Sequence, residues 1–157
     1  MAIPGYTVVT PVVALAAGVA KSIMAVIAGA NDSPTITEIG ISFDGVTASA
    51  VPVLIELCQS TQATAGTTTA FTPLQIRGWP TQVANCTAAV AYTAEPTVLT
   101  IIKQWLLTPN GGLIVLQNPL GREPQGVVAA GIIGKGLIIR CTAPAAVNAR
   151  GYLEYEE

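Results

Sequence analysis

Along residues 35–43, TITEIGISF, apolar and polar positions alternate, placing Ile39, Ile41 and Phe43 on one face and Glu38, Gly40 and Ser42 on the other. A period of two predicts a β-strand with one buried face. Asp44-Gly45 follows as a turn dipeptide. Residues 51–58, VPVLIELC, set Val51, Val53, Ile55 and Leu57 against Glu56. Pro52 belongs at the start of that strand or on an edge, because it cannot donate to a ladder. Residues 147–156, VNARGYLEYE, turn Val147, Ala149, Leu153 and Tyr155 inward and Asn148, Arg150, Tyr152, Glu154 and Glu156 outward. Further strands are expected near 22–28, 98–107, 113–118 and 136–142. In 98–107, Leu99, Ile102 and Leu106 also fit a helical stripe. Thr100, Ile101, Ile102 and Trp105 favour a strand, and TPNGG follows at 108–112 as a turn. Residues 22–28 and 113–118 are apolar on both faces, which predicts burial on both, within the fold or by a partner subunit.

Fifteen glycines and eleven prolines punctuate these runs along the whole length. Short apolar stretches between turn signals predict an all-β sandwich or barrel. Residues 60–70, STQATAGTTTA, are small and uncharged and read as a loop. Residues 77–97 hold Pro80 and Pro96 with little periodicity and read as an irregular excursion, a place for partner contacts. The domain organisation expected is a single β-domain over 21–157, with 1–20 as an N-terminal arm or first strand. The apolar stretch 11–30 has the length of a membrane span, but Lys21 stands in its middle and the rest is mostly Ala, Gly and Val. A buried strand or arm is the reading, with no membrane partner.

Composition moves the picture away from catalysis. The 157 residues include no histidine, 10% are charged and 51% are hydrophobic. Histidine is the usual proton carrier near neutral pH, so Ser-His-Asp and Cys-His sets are impossible. A solitary globule carries charge on roughly a quarter to a third of its surface. This chain falls short, which implies that other protein covers part of it. The net charge of −2 and the scattered Lys and Arg argue against nucleic acid as a partner. Cys58, Cys86 and Cys141 are far apart, lack CxxC spacing and have no histidine to join them at a metal. They read as reduced, buried thiols suited to a reducing cytoplasm. Glu38 and Glu56 could form a glycosidase-like carboxylate pair, but solvated or interface carboxylates are the simpler reading. The glycines of 131–136, GIIGKG, do not meet the phosphate-loop spacing and read as turn glycines. No catalytic, metal or cofactor residue is assigned, and no cofactor is expected.

The run TPNGGL (108–113), then PLGREP (119–124), then IRCTAPAAVNARGYLEYEE (139–157) resembles a family of small virion proteins of tailed bacteriophages. The upstream ISFDGVTASAVPVLIEL (41–57) and TAEPT (93–97) look like the same family, so the resemblance spans roughly residues 35–157. It implies a capsid decoration, or cement, protein on the outside of the virion, assembled in the host cytoplasm. It further implies a homo-oligomer, often a trimer, bound to the major capsid protein, and a compact β-fold. A jelly-roll-like antiparallel β-sandwich of about seven to nine strands fits both the resemblance and the strand pattern. A lectin-like module of a tail or fibre is the alternative. Five residues are candidates for an interface. Trp79 in RGWP is an aromatic anchor within the excursion. Arg122 and Glu123 sit between Gly121 and Pro124 in a restrained loop, and Arg150 and Glu154 place opposite charges on one face of the last strand.

Overall fold

The computed structural model describes residues 3–29, 32–44, 51–60, 68–126 and 136–157. Twelve strands follow one another in this part of the chain: β1 (Gly5–Val9), β2 (Val13–Leu15), β3 (Ala20–Ile27), β4 (Thr35–Asp44), β5 (Val53–Ser60), β6 (Thr69–Phe71), β7 (Leu74–Arg77), β8 (Thr87–Val90), β9 (Leu99–Leu107), β10 (Ile114–Gln117), β11 (Gly136–Thr142) and β12 (Val147–Glu156). One sheet has the order β10-β4-β12-β1-β7, with β2 also on β12, and the other β6-β8-β3-β11-β5-β9. All of these strand pairings are antiparallel. The two sheets pack face to face as an all-β sandwich.

The pairing is nested. Strand β1 pairs with β12, β3 with β11, β4 with β10 and β5 with β9. A long hairpin rolled in this way is a jelly roll of eight strands. The higher strand number comes from β2, β6, β7 and β8, each of three or four residues; β6, β7 and β8 extend the sheets at their margins, and β2 pairs with the central β12.

The alternation read from the sequence determines which side chains fill the space between the sheets. Ile39 and Ile41 of β4, Ile55 and Leu57 of β5, Ile139 and Cys141 of β11, and Leu153 and Tyr155 of β12 are all buried there. Pro52 precedes the ladder, so β5 begins at Val53 and Val51 is exposed instead of inward. Residues 98–107 form strand β9, without helix. Strand β3 is buried on both faces, as expected. Strand β10 is not: Ile114 and Leu116 pack on the core, while Val115 and Gln117 are exposed.

Two expectations change. Residues 60–70 are not wholly loop, since Thr69 begins β6; residues 61–67 lie outside the described residues. The excursion 77–97 is not wholly irregular. Its β8 pairs with both β3 and β6, because the small side chains of Ala88 and Ala89 let a short strand lie flat on the sheet. Tyr92 then covers Ala25, Ala89 and Ile138 on the outer face of that sheet, and Glu95 accepts hydrogen bonds from Ser22 N (2.8 Å) and Ser22 Oγ (2.6 Å). For residues 1–20, expected as an N-terminal arm or first strand, the described part holds a strand: β1 lies inside its sheet with Tyr6 and Val8 buried. Within 11–30, the chain forms β2 and β3, and no helix among the described residues is long and apolar enough to cross a membrane. The Gly45 half of the expected turn, and residues 131–135 of the glycine run, lie outside the described residues.

Candidate functional site

The five candidate interface residues do not converge on one site. Trp79 follows β7 at one margin of its sheet, and Arg122 and Glu123 follow β10 at the opposite margin. Arg150 and Glu154 lie between them on the outer face of β12.

At the first margin, the backbone of residues 77–82 is folded around one side chain. Gln75 Nε2 donates to the carbonyls of Arg77 (3.1 Å), Gly78 (3.2 Å) and Pro80 (3.5 Å), and Gln75 Oε1 accepts from Gln82 N (2.7 Å). Gly78 has φ +104 and packs against Pro4, a conformation that L side chains rarely adopt. The far end of the segment is tied down too. The Glu157 carboxylate accepts from Asn85 N (2.6 Å) and Cys86 N (2.9 Å), and Asn85 Nδ2 donates to Asp32 Oδ2 (2.8 Å). On this braced loop Trp79 is 84% exposed and Val83 87% exposed. Leu74, Ile76 and Ile3 add further exposed apolar surface. No sequence signal singled out Gln75, because its role depends on the turn it fills.

At the opposite margin, the sandwich is open between β9 and β10. A cavity of about 270 Å³ is lined by Ile39 and Leu57 together with Trp105, Leu116 and Pro119. Lys103 Nζ donates to Asn118 Oδ1 (2.7 Å) among the same lining residues. The Trp105 Nε1–H is buried without an acceptor. Arg122 is exposed in the adjoining turn, its N–H bonded to the Pro119 carbonyl (2.9 Å). Glu123 is half-buried, and neither residue joins an ion pair among the described residues.

The outer face between the margins is polar. Arg150 Nε pairs with Asp44 Oδ2 (3.1 Å) on the neighbouring strand, not with Glu154. Glu154 stands directly opposite Glu38, an unfavourable arrangement for two like charges. The sheet compensates through Glu38, whose Oε1 accepts from Tyr152 Oη (2.5 Å) and whose Oε2 accepts from Gln117 Nε2 (2.7 Å). Gly40 permits this pose, because a Cβ there would occupy the space of the Tyr152 ring. The two hydrogen bonds hold the Glu38 carboxyl below its ordinary range, that from Tyr152 most. The same bond pushes the Tyr152 phenol up to about 12. Glu154 moves the other way, raised by burial and then by the Glu38 charge. Glu38, Gln117 and Glu154 line a cleft of about 310 Å³ with Thr37, Arg77 and Glu156. Carboxylates with opposed shifts are what acid–base pairs require. Here, however, both Glu38 oxygens already accept a hydrogen bond. Glu56, the other carboxylate considered, lies in the second sheet on β5, paired with Arg140 (2.7 Å). Glu38 and Glu56 therefore form no pair.

The signs of these shifts set a pH dependence. Because Glu38 is lowered, its stabilising contribution is present above the ordinary carboxylate range and is lost as the pH falls through its folded pKa. Glu154 is raised, so its ionised form costs stability near neutrality and that cost disappears on protonation. Tyr152→Phe removes the main support of Glu38. Thermal melting at several pH values should show a deficit against wild type that is greatest near pH 7 and narrows below about pH 4. A deficit that is independent of pH would show that the Tyr152 hydroxyl does not act through Glu38.

Cys58, Cys86 and Cys141 are free and buried. Burial is the main cause that pushes their thiols up, Cys58 to about 11, Cys86 to about 12 and Cys141 further. Such thiols are poor nucleophiles. No group of three or more metal-ligating side chains occurs among the described residues. No protein-family model matches the sequence, and neither a curated protein nor a solved structure matches it significantly.

Proposed function

We propose that the chain is a non-enzymatic structural protein of a tailed-phage virion, a decoration or cement protein that binds the assembled head as a homotrimer through contacts with the major capsid protein. The observation that carries this reading is the braced Trp79 loop, a large aromatic held in solvent on a chain with only 10% charged residues. Exposed anchors of this kind belong to surfaces that become covered. The jelly-roll pairing and the wording of residues 108–124 and 139–157 support the same reading.

A protein that binds the assembled lattice and not its dissociated subunits stabilises the lattice by mass action. Particles produced without it should form, but should break at lower temperature or under weaker osmotic shock. Adding the purified protein back should restore their robustness. The capsid contact should depend only weakly on salt, since few charges are present to carry it. If particles without the protein are as robust as complete ones, and labelling places it on the tail, the tail-module alternative replaces this reading.

A further inference from the structure

The connection from β8 to β9 is forced across a sheet face. Four antiparallel steps separate the two strands in the order β8-β3-β11-β5-β9, so they run in the same direction. Thr87, Ile27, Gly136, Ser60 and Leu99 stand in one row, so both strands also begin at the same end of the sheet. Residues 91–98 therefore leave the far end of β8 and return to that row past three intervening strands. On the outer face the small side chains of Ala25 and Ala89 leave room for the Tyr92 ring, which also covers Ile138.

The crossing holds opposed forces. Ala91 has a φ of 52°, a left-handed conformation that costs any residue carrying a Cβ. Its N–H donates to the Ile23 carbonyl (3.0 Å). Tyr92 is buried, yet its hydroxyl has no hydrogen-bond partner among the described residues. The half-buried Glu95 ties the crossing to Ser22 through the backbone N–H and the hydroxyl. Thr93 and Ala94 before it, and Thr97 and Val98 after it, are exposed. Strain at Ala91 and the stranded Tyr92 hydroxyl favour release. Burial of the Tyr92 ring and the bonds to the Glu95 carboxylate oppose it. A segment with few buried contacts, standing on a finished sheet, is one that can open before the rest of a fold.

We propose that residues 91–98 form a lid that opens as one unit, pivoting at Ala91 and released at Glu95, and uncovers the outer face of the second sheet while the core stays closed. What it uncovers includes Cys58. That residue stands opposite Ile138 in the β5–β11 register, beside the Tyr92 contact, and is fully buried when the lid is shut. Cys86 and Cys141 belong to the core between the sheets. The three thiols thus report two different openings. This inference does not depend on the capsid reading.

The test is alkylation of the full native chain with iodoacetamide, followed at each cysteine by mass spectrometry and divided by the rate in denaturant, with amide exchange measured by NMR in parallel. On this scale Cys58 should react at least about tenfold faster than Cys86 and Cys141. Low urea should accelerate the two core thiols and leave Cys58 nearly unchanged, because lid opening exposes little surface. The Ser22 and Ala91 amides should share one protection factor, below that of Leu153. Glu95→Ala should speed Cys58 labelling by about tenfold or more. Ala91→Gly, which relieves the left-handed strain, should slow it by about threefold. Tyr92→Phe, which removes the stranded hydroxyl, should slow it as well. Three thiols that react at one rate with one urea dependence overturn the proposal, because the segment then opens only with the whole fold. A Glu95→Ala protein whose Cys58 keeps the wild-type rate overturns it too. So do Ser22 and Ala91 amides with unrelated protection, since the segment is then not one unit.

Discussion

Glu56→Ala is expected to destabilise the fold by about 2 kcal/mol, because it takes the hydrogen-bonded partner from the half-buried Arg140 guanidinium. Glu56 is 4% exposed and Arg140 Nε lies 2.7 Å from its Oε2, across the β5–β11 register. The attraction between the two is offset by the cost of taking both from water, so the pair itself contributes little net stability. The loss in the single variant comes from an Arg140 charge that keeps only the more distant Glu95. The double variant Glu56→Leu with Arg140→Met should therefore recover to within about 1 kcal/mol of wild type. Urea denaturation of the three proteins checks this. Equal losses in the single and double variants would show that the pair is a source of stability in its own right.

Tyr155 gives the second large effect, with two substitutions of opposite consequence. Its ring is fully buried and stacks on Tyr6 with centroids 5.6 Å apart. Removing the ring in Tyr155→Ala should cost about 3–5 kcal/mol through lost burial and a cavity between the sheets. Its hydroxyl is buried with no hydrogen-bond partner among the described residues. Burial, with the Glu157 charge second, accordingly pushes the phenol well above its ordinary range. Tyr155→Phe removes a polar group that finds no partner, so it should be neutral or stabilising. A clear loss of stability in the phenylalanine variant, read from the denaturation midpoint, would show that the hydroxyl is satisfied in solution.

The strands legible in the sequence are those whose two faces differ. In β4, β5 and β12 the inward Ile39, Leu57 and Leu153 alternate with Glu38, Glu56 and Glu154, and the period of two survives intact. Strand β9 was settled by its β-branched residues and the following turn, although most of its side chains are exposed. Strands β6 and β8 carry mostly Thr and Ala, whose size and polarity say little about facing, so they read as loop and excursion. Trp79 was legible as an isolated large aromatic in a Gly-Pro setting, and it is exposed. The cavity was not. Its lining comes from Ile39, Leu57, Trp105 and Leu116, which belong to four strands and meet only once the chain has rolled. The same holds for Glu95 on Ser22 and for Gln75 beneath the Trp79 loop, where polar side chains meet backbone groups.

Nested pairing also governs the order in which the molecule can be made. Strand β12 lies at the centre of its sheet, flanked by β1 through the register Gly5↔Glu156 and by β4 through Leu153↔Ile39. Until those last residues have left the ribosome, β1 and β4 lack the strand that joins them. Tyr6 and Val8 then have no finished core to enter. Pairing β1 with β12 joins residues very far apart in sequence, the kind of contact that slows folding most. The apolar first half must wait with its strand edges open, exposed to other nascent chains.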